Sequence, residues 1–387
     1  MRGRERMETL KRAIKSKINV NNIIFKIIRK LYHVLSSIKY RVFNYKKISQ
    51  ENKNLELQID QAIYRIKEFS NKDYIVFYNP KWLGVANSTK GLFKNIIPLE
   101  QVYKKKNAKR IAIIINKANI KNVIFSQIVD GWTEIIEKIK SINPEINVKV
   151  IWHGNCYEFF SDYTWNLNQD VIKLYNEEKI QAFGFVRCSM KQFFEKVGVK
   201  SFYLQNNVHL NFEKLNKNIV SNKIKIGIYN SDSRELKNIY TSIAAVKLVP
   251  NAVADVVPIN KGAKEYCKII DLEVSSIDKY IPTDELLNRI KENTINLYPT
   301  YTENSPMFPL ESFEIGVPCL VGNNNDFFSG TPLEEYVVVK REDDIEYIKN
   351  MIILCIDNRE KIMKLYGMWK KDFDLKCSKL VDDFLNN

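Results

Sequence analysis

At 387 residues, with 45% hydrophobic and 27% charged side chains, the chain has the composition of a soluble globular protein and room for two domains, each with its own core. Its net charge of +15 is concentrated: residues 1–50 hold fourteen Lys or Arg against Glu5 and Glu8, so only +3 is left for the rest, and no nucleic-acid partner is expected for the globular body. The six cysteines form no C-x-x-C pair and match no zinc spacing, no signal peptide is recognisable, and no window of 18 residues is apolar and uncharged; the reading is a cytoplasmic protein, in the cytosol or peripheral on the inner face of the cell membrane, with no bound metal.

In residues 20–43, Ile24, Ile28, Leu31, Leu35, Ile38 and Val42 recur at helical spacing, with Lys26, Arg29, Lys30, His33, Lys39 and Arg41 largely on the other side. A second helical pattern, Leu55, Ile59, Ala62, Ile66 and Phe69, follows out of phase. Residues 1–70 therefore read as a basic helical extension. Three readings stand for it: packing against the body or in a short coiled coil, binding an anionic membrane surface through residues 1–48, or contact with nucleic acid.

From residue 73 the pattern changes to short β-branched and aromatic runs alternating with helical ones. Strands are expected at 74–79, 110–116, 122–127, 148–153, 182–186 and 201–205, with a helix at 131–143. A second series follows, with strands at 224–230, 254–259, 268–273, 294–300, 318–322 and 336–340 and helices at 234–249, 282–291, 309–315 and 343–356. The polar stretch 209–223 separates the two series, and a long helical pattern follows Asn358. This is an α/β chain with two Rossmann-like domains, 71–218 (with 360–387 packing back on it) and 219–359, facing each other across a cleft. Ligands in such folds bind at strand ends and helix N-termini, so the strand-to-helix turns are where chemistry is sought.

Four turns stand out. The first, 78–93, contains Gly84 together with Trp82, Asn87 and Lys90. The second places His153 at a strand end, followed by Gly154. The third puts Arg234, Lys237 and Asn238 at the start of a helix, two cations where an anion is welcome. The fourth, 297–322, reads LYPTYTENSPMFPLESFEIGVPCLVG, with Glu303 in a loop, a helix from Pro309 or Leu310, Glu311 in its first turn, and Gly316 and Pro318 closing it. Each has a plainer reading taken alone: surface acids and cations, or a histidine in a strand cap. Asp372 and Asp374 form a D-x-D on the C-terminal helical pattern and read as a solvated face. No phosphate-loop, dinucleotide, zinc-protease or nucleophile-elbow motif is present.

The string from Glu303 to Pro318, Glu-x7-Glu followed by G-x-P and a strand, resembles the corresponding region of retaining GT-B glycosyltransferases of the broad family-four-like group. The chain departs from that group inside the loop, where Asn304, Ser305 and Pro306 stand in place of glycines, and Pro306 has no N–H to donate. The resemblance implies transfer of a sugar from a nucleotide-sugar donor to a glycan or lipid-linked acceptor, with retention at the anomeric carbon. It assigns Glu303, His153, Arg234 and Lys237 to catalysis. Glu311, Asn304, Ser305, Met307 and Asn238 would bind the donor, with no metal or other cofactor. Trp82, Asn87 and Lys90 would face the acceptor. A catalytically inactive partner subunit and a nucleotide-sugar epimerase remain as alternative readings of the same fold.

Overall fold

The computed structural model of the protein describes residues 53–208, 210, 223–229 and 235–387. The amphipathic pattern of 20–43, Arg234 and most of the expected linker 209–223 lie outside the described residues. The chain divides into two compact units, 1–61 and 62–387. The described part of the first, 53–61, is helical; the second opens with helical residues 62–68.

Two parallel six-stranded sheets organise the larger unit. The first has the order β2-β1-β3-β4-β5-β6, with β1 Tyr74–Tyr78, β2 Ile96–Pro98, β3 Asn122–Ser126, β4 Asn147–Trp152, β5 Ala182–Phe185 and β6 Ser201–Tyr203. The second has the order β12-β11-β10-β7-β8-β9, with β7 Ile224–Ile228, β8 Ala252–Val256, β9 Val274–Ser276, β10 Ile295–Tyr298, β11 Cys319–Gly322 and β12 Val338–Val339. The central strands are buried on both faces and mostly apolar, as YIVFY in β1 shows, because helices cover both sides of each sheet.

Three expected strands are not where the local sequence suggested. The run 110–116 lies inside helix α2, Lys105–Lys117, which follows α1, Leu83–Leu92. Its Ala108, Ile111, Ala112 and Ile115 are buried at intervals of three, one and three, a helical stripe that a short isoleucine-rich run does not distinguish from a strand. The strand actually present there is β2, three residues at the sheet edge, where Pro98 is tolerated because no neighbour needs its N–H. Residues 268–273 are the end of a helix and a turn through Asp271, φ 51°, before the short β9. Residues 336 and 337 close a helical turn, leaving two residues for β12.

The remaining helices are α3 Trp132–Ile142, α4 Asp162–Asn176, α5 Cys188–Lys196, α6 Ile239–Lys247, α7 Lys261–Ile269, α8 Thr283–Lys291, α9 Met307–Glu314, α10 Glu334–Val337, α11 Ile345–Asp357 and α12 Arg359–Asn386. Helix α12 joins both halves. Its Ile362, Tyr366, Phe373 and Cys377 belong to the core around the second sheet, whereas Phe384 packs with Val76, Ile124, Ile151 and Leu204 of the first. Lys149, buried within β4, donates to the carbonyls of Phe384 at 2.5 Å and Leu385 at 3.3 Å, satisfying acceptors the last turn of a helix leaves open. Burial, and then the charge of Lys200, lowers that ammonium to about 8. The D-x-D keeps the solvated face expected of it, with Asp372 exposed and Asp374 partly so, but Asp374 also pairs with Lys370 at 2.5 Å and accepts from Asn207 Nδ2 at 2.7 Å, holding the helix to the segment that leaves β6. Among the described residues no helix is long and apolar enough to cross a membrane.

Candidate functional site

Parallel sheets place all their strand-to-helix turns at one edge, and here the two edges face each other. Between them lies a cleft of about 870 Å³ whose walls come from both halves. His153, Lys237, Glu303, Asn304, Ser305, Met307 and Glu311, separated by up to 158 positions in sequence, all line it.

On the second half, β10 ends at Tyr298 and a loop carries the chain to α9. The helix begins at Met307, two residues earlier than its sequence suggested, so Glu311 stands in the second turn and not the first. Gly316, at φ +89°, closes α9 in the left-handed conformation that favours glycine. Glu311 is half-buried against the cleft, and burial pushes its carboxyl up to about 7. Glu303 accepts on Oε1 from the Lys237 ammonium and from the Tyr298 hydroxyl at 2.8 Å. Lys237 is buried and also reaches Tyr298 Oη at 3.0 Å, so cation, carboxylate and phenol form one cluster. Among the described residues Asn304 Oδ1, buried in the wall, has no hydrogen-bond partner, a cost that a ligand donor would relieve.

On the first half, His153 follows β4. Its Nε2 lies 2.8 Å from Ser126 Oγ and its Nδ1 3.5 Å from Ser88 Oγ, while its backbone N–H donates to Gln127 Oε1 at 3.0 Å. Burial lowers the imidazole to about 3, so the ring is neutral at ordinary pH and suited to hydrogen bonding, with no proton to give as an imidazolium. Ser88 in turn donates to Asn206 Oδ1 at 2.5 Å.

Of the other expected site residues, Asn238 does not line the cleft. It caps α6 at φ 53°, and its side-chain amide donates to the carbonyls of Pro299 at 2.8 Å and Glu342 at 2.5 Å, which fixes the exit of β10. Trp82, Gly84 and Asn87 line the wall on the first half; Lys90 instead lies over the Tyr78 ring at 5.9 Å. Ser305 is engaged from across the cleft, accepting from Asn206 N at 3.2 Å and Nδ2 at 2.7 Å. Sequence reasoning missed Tyr298, Asn206 and Glu158. Glu158 lines the cleft from the turn after β4, and its carboxylate would stand 2.2 Å from a Cβ on Gly154, so the glycine keeps room for it. The signal for Asn206 was the polar run Gln205-Asn206-Asn207, buried throughout directly after a strand.

No protein-family model and no curated protein matches the sequence. Solved structures share its fold. The Anabaena protein HepE in complex with UDP superposes with a TM-score of 0.58 at 12% identity over 81% of this chain and 99% of that one. The sucrose-phosphate synthase of Thermosynechococcus elongatus gives 0.51 at 11% identity, over 75% and 79%. An alpha,alpha-trehalose-phosphate synthase (UDP-forming) of Burkholderia vietnamiensis gives 0.50 at 8%, over 84% and 83%. At these identities the likeness is one of fold, and the two-sheet α/β architecture with its facing strand ends is common to this chain and to them.

Proposed function

We propose that the protein is a retaining glycosyltransferase that moves a sugar from a nucleotide-sugar donor to a glycan or lipid-linked acceptor. The observation that carries this reading is the convergence of Lys237, Glu303 and Glu311 from one half and His153 from the other on a single cleft. The folds that share its architecture include one solved with UDP and a synthase described as UDP-forming, which supports a nucleotide-sugar donor.

In this reading Glu311 accepts two ribose hydroxyls on its two carboxylate oxygens, and Lys237, with Arg234, neutralises the diphosphate. No metal or other cofactor is assigned a part. Glu303 and the neutral His153 hold sugar hydroxyls, Glu303 through Oε2, since Lys237 and Tyr298 occupy Oε1. The bond from the anomeric carbon to the phosphate oxygen breaks with its electron pair going to the diphosphate. The acceptor oxygen then bonds to the same face of that carbon, and its proton passes to the leaving phosphate. Domain closure excludes water from the reacting centre. The basic segment 1–48 would hold the enzyme at an anionic cytoplasmic membrane surface, in keeping with a lipid-linked acceptor and surface-polysaccharide synthesis; vesicle flotation of a 1–48 deletion tests this, and undiminished binding refutes it.

The test of the main reading is thermal shift against UDP-, GDP-, TDP- and CMP-sugars, followed by product analysis with acceptor. One donor is expected to stabilise the wild type and not Glu311→Ala. A second reading, a non-catalytic partner subunit, is favoured by Pro306, which removes one N–H at the start of α9. Stabilisation by no donor favours that reading, and sugar isomerisation without acceptor would indicate an epimerase.

A further inference from the structure

Residues 302–305 of the loop between β10 and α9 are held mainly from the opposite half of the molecule. Three successive turns of the first sheet each send a donor to it. After β4, Asn155 Nδ2 donates to Thr302 Oγ1 at 3.0 Å. After β5, Arg187 Nη1 donates to the main-chain carbonyl of Glu303. After β6, Asn206 donates through Nδ2 to the carbonyl of Ser305 at 2.7 Å and through its backbone N–H to Ser305 Oγ at 3.2 Å. Thr302, Glu303 and Ser305 are thus gripped nearly in sequence by β4, β5 and β6 in sequence, a register that follows from two parallel sheets meeting edge to edge at their strand ends.

The second half holds the start of the loop, where Asn238 and Asn324 donate to the carbonyls of Pro299 and Thr300 and the Tyr301 N–H donates to the Leu236 carbonyl; among the described residues it reaches 302–305 through the Glu303 side chain. The Glu303 carboxylate is held there by Lys237 and Tyr298, but those bonds fix the side chain and leave the main chain of 302–305 to the opposite half. Asn155 is itself fixed, since its Oδ1 accepts from Tyr157 N at 2.9 Å. Arg187 is braced by Nε donating to Ser189 Oγ at 3.1 Å, and the next residue's N–H donates to Asp326 Oδ2 at 3.0 Å, a further tie between the halves. Each donor is oriented before it reaches the loop, so little ordering is left for the contact itself.

We propose that Asn155, Arg187 and Asn206 are positioning residues that place the Glu303 carboxylate, so that the sugar-holding part of the cleft is assembled only while the two halves are closed on each other. The inference rests on the glycosyltransferase reading for its functional consequence, not for its geometry. Opening the cleft breaks all three grips together and frees the main chain beneath Glu303. Glu311 stands on α9, outside the gripped segment, so nucleotide is bound in the open and closed arrangements alike. Sugar is held for reaction in the closed one only, when the acceptor wall is also in place. Such coupling ties donor activation to presence of the acceptor half and suppresses transfer to water.

The test uses the full chain as wild type, Arg187→Ala, Arg187→Lys and Thr302→Val, the last removing the acceptor of Asn155 without changing shape. Hydrogen exchange of a peptide spanning 299–306 is measured without ligand, together with UDP affinity and the kcat and KM for the donor that stabilises the wild type. Arg187→Ala is expected to raise exchange in 299–306 at least tenfold, to lower kcat at least tenfold, and to leave UDP affinity within twofold. Thr302→Val should show the same pattern more weakly, and Arg187→Lys should recover part of both losses. Unchanged exchange in 299–306 for both Arg187→Ala and Thr302→Val overturns the proposal, whatever the kinetics. An equal loss of UDP affinity and kcat overturns it as well, because the effect would then not be confined to the sugar. If no donor binds the wild type, the glycosyltransferase reading fails, and the exchange result still decides whether the loop is held from the opposite half.

Discussion

Replacing Glu311 by Gln tests the electrostatics of the cleft through two independent readouts. Burial against the cleft wall raises the carboxyl from an ordinary 4.5 to about 7. A carboxyl whose pKa is higher in the folded than in the unfolded chain binds its proton more tightly when folded. Its effect on stability is therefore nil well below pH 4.5, grows as a penalty between about pH 4.5 and 7, and levels off at about 3 kcal/mol above that. The neutral amide of Glu311→Gln has no such penalty. The variant is expected to match the wild type at pH 4.5 and to exceed it by about 3 kcal/mol at pH 8.5, a rise in Tm of roughly 4 °C for a unit of this size. Binding moves the other way. Ribose hydroxyls need the ionised carboxylate, whose fraction climbs from about one tenth at pH 6 to about nine tenths at pH 8, so wild-type affinity for the nucleotide should rise about tenfold over that range. Glu311→Gln should bind weakly with no such rise. Scanning calorimetry at the two pH values and titration calorimetry from pH 6 to 8 supply the measurements. A stability gain equal at pH 4.5 and 8.5, or a wild-type affinity that is flat with pH, refutes the assignment of Glu311 as a strained, ligand-facing carboxylate.

Three further outcomes follow from particular contacts. Asp255 is fully buried and is held by the Arg289 guanidinium and the Tyr229 hydroxyl, with Lys225 Nζ at 3.7 Å; Arg289→Met should cost about 3–5 kcal/mol in urea unfolding, and adding Asp255→Asn should recover part of it. A loss below about 1 kcal/mol would show that Lys225 alone compensates the charge. Gly227 leaves space for the buried amides of Asn296 in β10 and of Asn293 in the turn before it: a Cβ there would stand 2.1 Å from Asn296 Oδ1 and 2.3 Å from Asn293 Nδ2. Gly227→Ala is therefore expected to lose about 2 kcal/mol or more, with wild-type stability the contrary result. His153, lowered to about 3 by burial, stays neutral across the working range. The pH profile of transfer should show no limb near 6.5 attributable to it, and His153→Ala should lower the rate at every pH in the same proportion; a limb that disappears in the variant would make it a titrating acid or base.

The α/β class, most of the strands and the position of the turns were legible because buried parallel strands and amphipathic helices leave strong local patterns, as in YIVFY at 74–78 and WTEIIEKIKSI at 132–142. Where the pattern was short or uniformly apolar, it failed. The isoleucines of 111–115 fit strand and helix alike until neighbours bury one face only, and β2 and β12, with three and two residues, carry too little sequence to announce themselves. Glu303 and Glu311 were visible as a spaced pair in a turn, but Asn238 was misplaced by its adjacency to Lys237: one residue on, the side chain points to carbonyls of Pro299 and Glu342 and away from the cleft.

The sequence by itself determined the alternation of strands and helices and the residue types at the turns, since those depend on side-chain periodicity within a few neighbours. Tertiary structure alone decided which turns meet, and with them the charge states. The neutral His153, the proton-retaining Glu311 and the pairing of Lys237 with Glu303 arise from burial and from partners up to 66 positions away. Desolvation and ion pairing act through space, over distances set by how two sheets face each other, and no local window of sequence contains that distance.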